Sequence, residues 1–104
     1  MKPLLDDELR ARLPSLHSQE GEMDPVVQAR FFLPGTIWTW WVIEGEEQGG
    51  DFLFFGFVNG IEDEFGYFCL SELLSAMSRI GVAVERDRTF QPGKLTEVVP
   101  PPHV

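Results

Sequence analysis

The most reactive side chains in this 104-residue chain are one cysteine and two histidines. Cys69 lies in the apolar run 67–70, His17 follows a leucine-rich segment, and His103 lies in a proline-rich terminus. A catalytic cysteine needs an exposed thiol in electropositive surroundings and a histidine that a third group orients. The surroundings of Cys69 are apolar and acidic, so we expect no nucleophilic catalysis.

Carboxylates are far more abundant, with 17 Asp and Glu residues in the chain. A pair of catalytic carboxyls needs one member in an apolar pocket, whereas these acids fall at expected turns. Glu62, Asp63 and Glu64 lack the alternating ligands and fixed glycine of a calcium loop, and no histidine stands near them for zinc. The glycines form no phosphate-binding motif. We therefore expect no metal, no cofactor and no enzymatic activity.

The charge is distributed unevenly along the chain. The formal net charge is -9, and residues 31–78 contain eight acids, no base and twelve of the thirteen aromatic residues. This balance disfavours direct binding to nucleic acid, whose phosphates require basic side chains. The aromatic run 38–41 also lacks the basic groove that accompanies base stacking in single-strand binders.

The acids of this segment form two clusters at the expected turns. Glu44, Glu46, Glu47 and Asp51 border one turn, and Glu62, Asp63 and Glu64 border the next. Consecutive turns of a meander lie at opposite ends of the sheet, roughly 25 Å apart for strands of this length. The Debye length at physiological salt is ~8 Å, so the electrostatic interaction between the two clusters is screened and each acts as a separate negative patch. They are predicted to contact a basic protein surface; the alternative is solvated loops that aid solubility.

Hydrophobic spacing predicts the elements that would position these residues. Leucines at 5, 9, 13 and 16 predict a helix over 5–16, with Asp6 as N-cap and Pro14 as an interruption. β-Branched and aromatic runs predict strands over 26–32, 37–43, 51–58 and 65–70, with a tight turn at Pro34 and Gly35 and a loop over 44–50. The turn after the third strand is either Asn59–Gly60 or the longer segment 59–64.

The C-terminal third predicts a second helix and an extended tail. Ser71 is the expected N-cap and Gly81 the expected stop, and residues 82–90 are expected to form either a short strand or an extended arm. Three consecutive prolines predict a disordered tail over 98–104. The prediction is one α+β domain over 1–97: an antiparallel meander of four to five strands, flanked by an N-terminal helix and a helix near the C-terminus.

The central strands are apolar on both faces, so each face needs a cover. Trp38, Trp40 and Val42 point to one side, and Trp41 and Ile43 to the other. Two short helices are enough to cover only one face fully. The other face needs the second helix, the tail, a partner or a second copy of the chain as its cover. Trp38 and Trp41 are therefore predicted to bind a partner, and the chain to be a monomer or homodimer.

The composition also bears on location. A lone cysteine forms no internal disulfide, acids replace the apolar core of a signal peptide, and no uncharged stretch approaches the ~20 residues of a bilayer span. We expect a cytoplasmic protein with no membrane contact.

The sequence resembles the short bacterial proteins catalogued as domain of unknown function 2958. The resemblance covers roughly residues 4–92 and lies in these motifs: LRARLP (9–14), QEG (19–21), DPVV (24–27), ARFF (29–32), WTW (38–40), DFLFFGFV (51–58), GYF (66–68), LSEL (70–73) and VERD (84–87). It implies no known activity or catalytic residue. It implies carriage on plasmids, phages and integrative elements, and a serine in place of Cys69.

Two hypotheses follow from this setting and the charge. The first is a non-enzymatic acidic module that binds a host or element-encoded protein with a basic surface, as an inhibitor of a CRISPR or restriction complex. The second is an accessory or scaffold protein in plasmid or phage DNA processing that acts through an aromatic sheet face.

Overall fold

The computed structural model describes residues 3–100, with the backbone alone for residues 77–80. Within this part of the chain the helices are α1 (Asp7–Arg12), α2 (Leu70–Ile80) and α3 (Leu95–Val98). The strands are β1 (Val26–Val27), β2 (Ala29–Phe32), β3 (Thr39–Gln48), β4 (Asp51–Asn59), β5 (Glu64–Cys69), β6 (Glu85–Arg86) and β7 (Gly93–Lys94). The α+β class is confirmed.

Strands β2 to β5 form the predicted antiparallel meander, and β6 adds to the side of β2, giving the order β5-β4-β3-β2-β6. The predicted strand over 82–90 is thus only β6. β1 and β7 pair in a separate ribbon. The turn between β4 and β5 is the longer of the two alternatives, residues 60–63. β5 remains at one edge of the five-stranded sheet.

The prediction for β3 is wrong at both ends. The strand begins at Thr39, and it continues through the predicted loop, pairing with β4 as far as Gln48. Ile43 is the extra residue of a β-bulge, because Val42 pairs with Gly56 and Glu44 with the next residue, Phe55. Glycines 49 and 50, at φ 56° and 85°, make the tight turn to β4. The acids at 44–47 therefore lie in a strand, where the pleat fixes their directions.

The two faces of the sheet are sorted as predicted. The inner face packs against α1 and α2, and Leu9 and Leu73 of these helices are 0% and 3% exposed. Its buried strand residues are Ala29, Phe31, Trp40, Val42, Phe52, Phe54 and Phe68. Aromatic contacts link three strands, with ring centroids 5.6 Å apart for Phe31 and Phe54 and 5.5 Å apart for Phe54 and Phe68. This core packs the inner face of the sheet against α1 and α2.

The outer face carries Trp41 and Ile43, and the C-terminal segment covers this part of it. Its half-buried contacts there are Phe90, Leu95, Val98 and Val99. Residues 98 and 99, which the sequence places in the disordered tail, pack against Trp41 and its neighbours, so this part of the prediction is wrong. Residues 101–104 of the predicted tail lie outside the described residues. The cover stops at β3 and β4, so the β5 side of the outer face stays open.

The helix ends follow from capping. Asp6 accepts the N–H of Leu9 at 2.8 Å, as predicted, but α1 ends at Arg12 rather than continuing to residue 16. In the described part of the chain, no helix is long and apolar enough to cross a membrane.

At the start of α2 the predicted cap is wrong. Cys69 takes the N-cap position, and Glu72 accepts its backbone N–H at 3.2 Å. Ser71 bonds to Asp51 instead. Gly81 ends the helix at φ 71°, in the left-handed region that glycine tolerates, as predicted.

Candidate functional site

Glu44 is buried, although the sequence places it in an acidic cluster at a turn. Its side chain is 2% exposed. Its Oε1 accepts the N–H of His17 at 2.8 Å, and its Oε2 accepts the N–H of Gln19 at 2.6 Å. Both bonds are to a charged acceptor and are therefore strong. Glu44 holds the turn that follows α1 against the outer face and does not present its carboxylate to a partner.

The other three acids of that cluster also have partners within the chain. Glu46 accepts a backbone N–H of the same turn at 2.8 Å, and Glu47 lies 3.6 Å from the guanidinium of Arg10. Asp51 accepts the hydroxyl of Ser71 and a backbone N–H, and these bonds hold the pKa of Asp51 below its ordinary value. The acids of the first predicted cluster therefore stabilise the fold through contacts within the chain, and among the described residues Glu47 alone of the four is paired with a cation.

The second cluster is free. The side chains of Glu62, Asp63 and Glu64 are exposed, and none of these side chains makes a hydrogen bond or ion pair with another residue that the structure describes. Ile61, beside them, is 88% exposed. We call residues 62–64 the acidic turn. It is the part of the predicted acidic surface that remains available to a partner.

The two tryptophans predicted to bind a partner are held by the fold. Trp38 is half-buried and stacks on Trp40, with ring centroids 6.0 Å apart. Trp41 is 5% exposed, and its Nε1–H donates to Oδ1 of Asn59 at 2.7 Å. Phe90 packs against Trp41 at 6.0 Å between centroids. Trp41 therefore offers almost no surface for a contact.

The exposed aromatic surface lies instead at the β5 edge of the outer face. We define the outer aromatic patch as Phe55, Phe57, Phe65 and Tyr67. The register pairs Phe55 with Tyr67 and Phe57 with Phe65, and the centroids of these pairs are 5.0 and 5.1 Å apart. Phe65 is 49% and Tyr67 52% exposed. The alternation of side chains along β4 and β5 is the signal in the sequence for this surface.

A cavity of about 290 Å³ separates this patch from the turn after α1. Phe55, Phe65 and Tyr67 form one wall, and His17 and residues 19–22 contribute to the other. The Tyr67 hydroxyl lies 3.4 Å from Nδ1 of His17, which in turn lies 3.2 Å from a carboxylate oxygen of Glu20. Aromatic faces beside carboxylates suit a cationic group.

The backbone of this turn takes an uncommon conformation. His17 has φ 71°, a left-handed value that non-glycine residues rarely adopt. The buried carboxylate of Glu44 accepts the N–H of His17 and the N–H of Gln19. These two hydrogen bonds offset the energetic cost of the left-handed conformation at His17. The wall of the cavity is thus positioned by a carboxylate beneath it.

The environment of Cys69 disfavours a nucleophile. The thiol lies 2.9 Å from a carboxylate oxygen of Glu72, and donation to this anion raises the pKa of Cys69. A raised pKa reduces the thiolate, which is the reactive form. Among the described side chains, no group of three or more His, Cys, Asp and Glu residues is placed to hold a metal ion.

A second outer-face cavity of about 750 Å³ lies between Trp41 and the C-terminal segment. The guanidinium of Arg30 lies over Phe32 and Trp41, at 4.6 and 5.5 Å from the ring centroids. It pairs with Asp87 at 3.3 Å. The hydroxyl of Thr89 and the charge of Arg30 hold the pKa of Asp87 below its ordinary value. The charge of Arg30 is therefore neutralised by Asp87 within the fold. In this respect the cavity differs from the outer aromatic patch, which lies beside unpaired carboxylates.

Comparison with known proteins identifies a family. The model described as "Protein of unknown function (DUF2958)" matches residues 4–98. No curated protein and no solved structure matches the chain. The match runs from before α1 to the last residue of α3, so the patch, its cavity and the acidic turn all lie within it.

Proposed function

Because the chain belongs to the DUF2958 family, whose function is unknown, we propose a function from its own surface: a non-enzymatic module that binds a protein with a basic surface. The observation that carries the proposal is the outer aromatic patch, half exposed at Phe65 and Tyr67, directly beside the uncompensated acidic turn. Exposed apolar patches rimmed by polar residues mark protein interaction sites, and the few residues that carry most of the binding energy at an interface are often aromatic.

The acidic turn supports a basic partner rather than a neutral one. It precedes Phe65 directly in the chain, and residues 31–78 hold no basic side chain that would repel a cation. Uncompensated charge at the rim of an interface steers a partner of opposite charge and excludes partners of like charge. The patch then provides the short-range apolar contact.

The partner class that we propose is a nucleic-acid-binding protein of a host CRISPR or restriction complex, met in the cytoplasm by a protein from a mobile genetic element. Two arguments support it: surfaces that hold phosphates are basic, and the resemblance implies carriage on such elements. The geometry of the contact differs from the two acidic clusters expected from the sequence. One acidic turn with an apolar anchor beside it replaces them.

The aromatic character of the patch favours a second candidate, an accessory or scaffold protein in plasmid or phage DNA processing. This function would use Phe65 and Tyr67 on the sheet face, in place of Trp38 and Trp41. The two candidates differ in their dependence on charge. Only the first requires the acidic turn.

Affinity capture from a bacterial host lysate with three forms of the chain tests the first proposal. The triple variant Glu62→Gln, Asp63→Asn, Glu64→Gln removes three charges from the acidic turn. The matched control Asp7→Asn, Glu8→Gln, Glu85→Gln removes three exposed charges from α1 and β6. We expect a nucleic-acid-binding protein to be retained by the wild type and the control, and at least about tenfold less by the triple variant.

Equal capture by all three forms would contradict the role of the acidic turn. Retention lost only on Phe65→Ser with Tyr67→Ser would support the second candidate. Both aromatic residues are about half exposed, so these substitutions leave the inner core intact. Circular dichroism of each variant verifies this.

A further inference from the structure

We propose that the partner adds a cationic extended segment to the free edge of β5 and anchors an arginine or lysine side chain in the 290 Å³ cavity beside Tyr67. This inference rests on the proposed function and specifies the chemistry of its partner.

The edge of β5 is built to accept a strand. β5 has six residues in extended conformation and lies at the end of the strand order. Its backbone groups that point away from β4 have no backbone partner in the described part of the chain. Open edges of this kind are the template for strand addition by another chain. The exposed Phe65 and Tyr67 lie on this same strand.

The pleat determines where the side chains of an added strand would lie. Alternate residues of the new strand stand on the outer face beside Phe65 and Tyr67, because directly opposed residues of neighbouring strands share a face. An apolar residue there would extend the outer aromatic patch. A long basic side chain would pass over the Tyr67 ring and reach the cavity.

The cavity suits the end of such a side chain. The rings of Phe55, Phe65 and Tyr67 provide apolar walls for its methylene groups and π faces for its charge. Glu20 and Glu22 lie on the opposite wall, and each carboxylate is bonded at one oxygen within the described part of the chain, which leaves lone pairs for a further donor. A guanidinium can therefore bond to carboxylate while it lies on an aromatic face.

Charge distinguishes among possible occupants of the edge. The acidic turn lies at the start of β5, and Glu20 and Glu22 lie across the cavity. An anionic segment would be repelled by all of them. A second copy of this chain would bring the same acids to the edge, whereas a cationic segment is attracted along its whole length.

A peptide of about six residues, matched to β5, tests the inference. The probe alternates arginine and valine. One control carries N-methylated backbone nitrogens on alternate residues, and another replaces arginine with glutamate. We expect the unmodified probe to bind, the N-methylated probe to bind at least about tenfold more weakly through lost backbone hydrogen bonds, and the glutamate probe not to bind.

A matched pair of variants tests the anchor. Glu20→Gln on the cavity wall should weaken the arginine probe several-fold, whereas Glu8→Gln, which removes an equal charge from α1, should not. Equal binding of the methylated and unmodified probes overturns strand addition. If the arginine probe does not bind, whether or not the chain dimerises, the proposal that a cationic segment occupies the β5 edge is overturned. Neither result touches the proposed function, which is tested separately by capture and fails if capture does not depend on the acidic turn.

Discussion

Gly56→Ala should destabilise the chain severely, because β3 and β4 approach too closely at this position for a side chain. A Cβ on Gly56 would lie 2.1 Å from the carbonyl oxygen of Trp41 and 3.2 Å from Cα of Val42. These are backbone atoms, which cannot move aside without separating the two longest strands. Overpacking costs about 1–3 kcal/mol even where side chains can yield. We therefore expect a loss of about 3 kcal/mol or more in the free energy of unfolding, measured by urea denaturation.

The cross-strand neighbour of Gly56 provides the control. Gly66 pairs with Gly56, and a Cβ there meets no atom within 4 Å. Gly66→Ala should leave the midpoint of urea denaturation unchanged or raise it slightly, since alanine lowers the conformational entropy of the unfolded chain. If both substitutions lower stability equally, the close approach at Gly56 is not the cause.

Glu44→Ala should cost about 3 kcal/mol, because the buried carboxylate satisfies the N–H groups of His17 and Gln19. A hydrogen bond to a charged group contributes about 1.5–3 kcal/mol, and both part-buried N–H groups would lose their carboxylate partner. The turn after α1 would then lose its attachment to the outer face. We expect urea denaturation to show the loss, and the NMR signals of the His17 ring to shift as its contact with Tyr67 is broken.

Glu47→Ala provides the comparison for this acid. Its side chain is 70% exposed, and its ion pair with Arg10 is 3.6 Å long, so the change should cost about 0–1 kcal/mol. Equal losses for Glu44 and Glu47 would contradict a structural role specific to Glu44. The arginine probe should also bind more weakly to Glu44→Ala than to Glu47→Ala, because only the first opens the cavity wall.

The sequence predicted what depends on local pattern. Alternation placed Trp40 and Val42 on one face and Trp41 and Ile43 on the other, and the structure confirms this. The meander and the stop at Gly81 followed in the same way from turn residues and capping chemistry.

The roles of the acids did not follow, because they depend on contacts distant in sequence. Charge counting treats Glu44 and Glu62 alike, yet one accepts two backbone N–H groups from a turn 25 and 27 residues away and the other is free. The bulge at Ile43 carries the strand through a stretch whose glutamates and glycines indicated a loop.

The location of the open surface was also hidden from the sequence. Phe90 and residues of the segment 95–99 pack over Trp41 on the outer face, and they leave Phe65 and Tyr67 exposed. Which tryptophan or phenylalanine remains uncovered depends on where the C-terminal segment docks. Local spacing contains no signal for that.

The most direct test of a binding surface at the β5 edge is residue-resolved amide exchange by NMR, on the chain alone and with its captured partner bound. We predict slower exchange on binding at the β5 amides that point away from β4, and in the turn at residues 16–22, with little change in α1 or α2. Protection confined to the helices, or to the cavity around Arg30 and Asp87, would contradict this account.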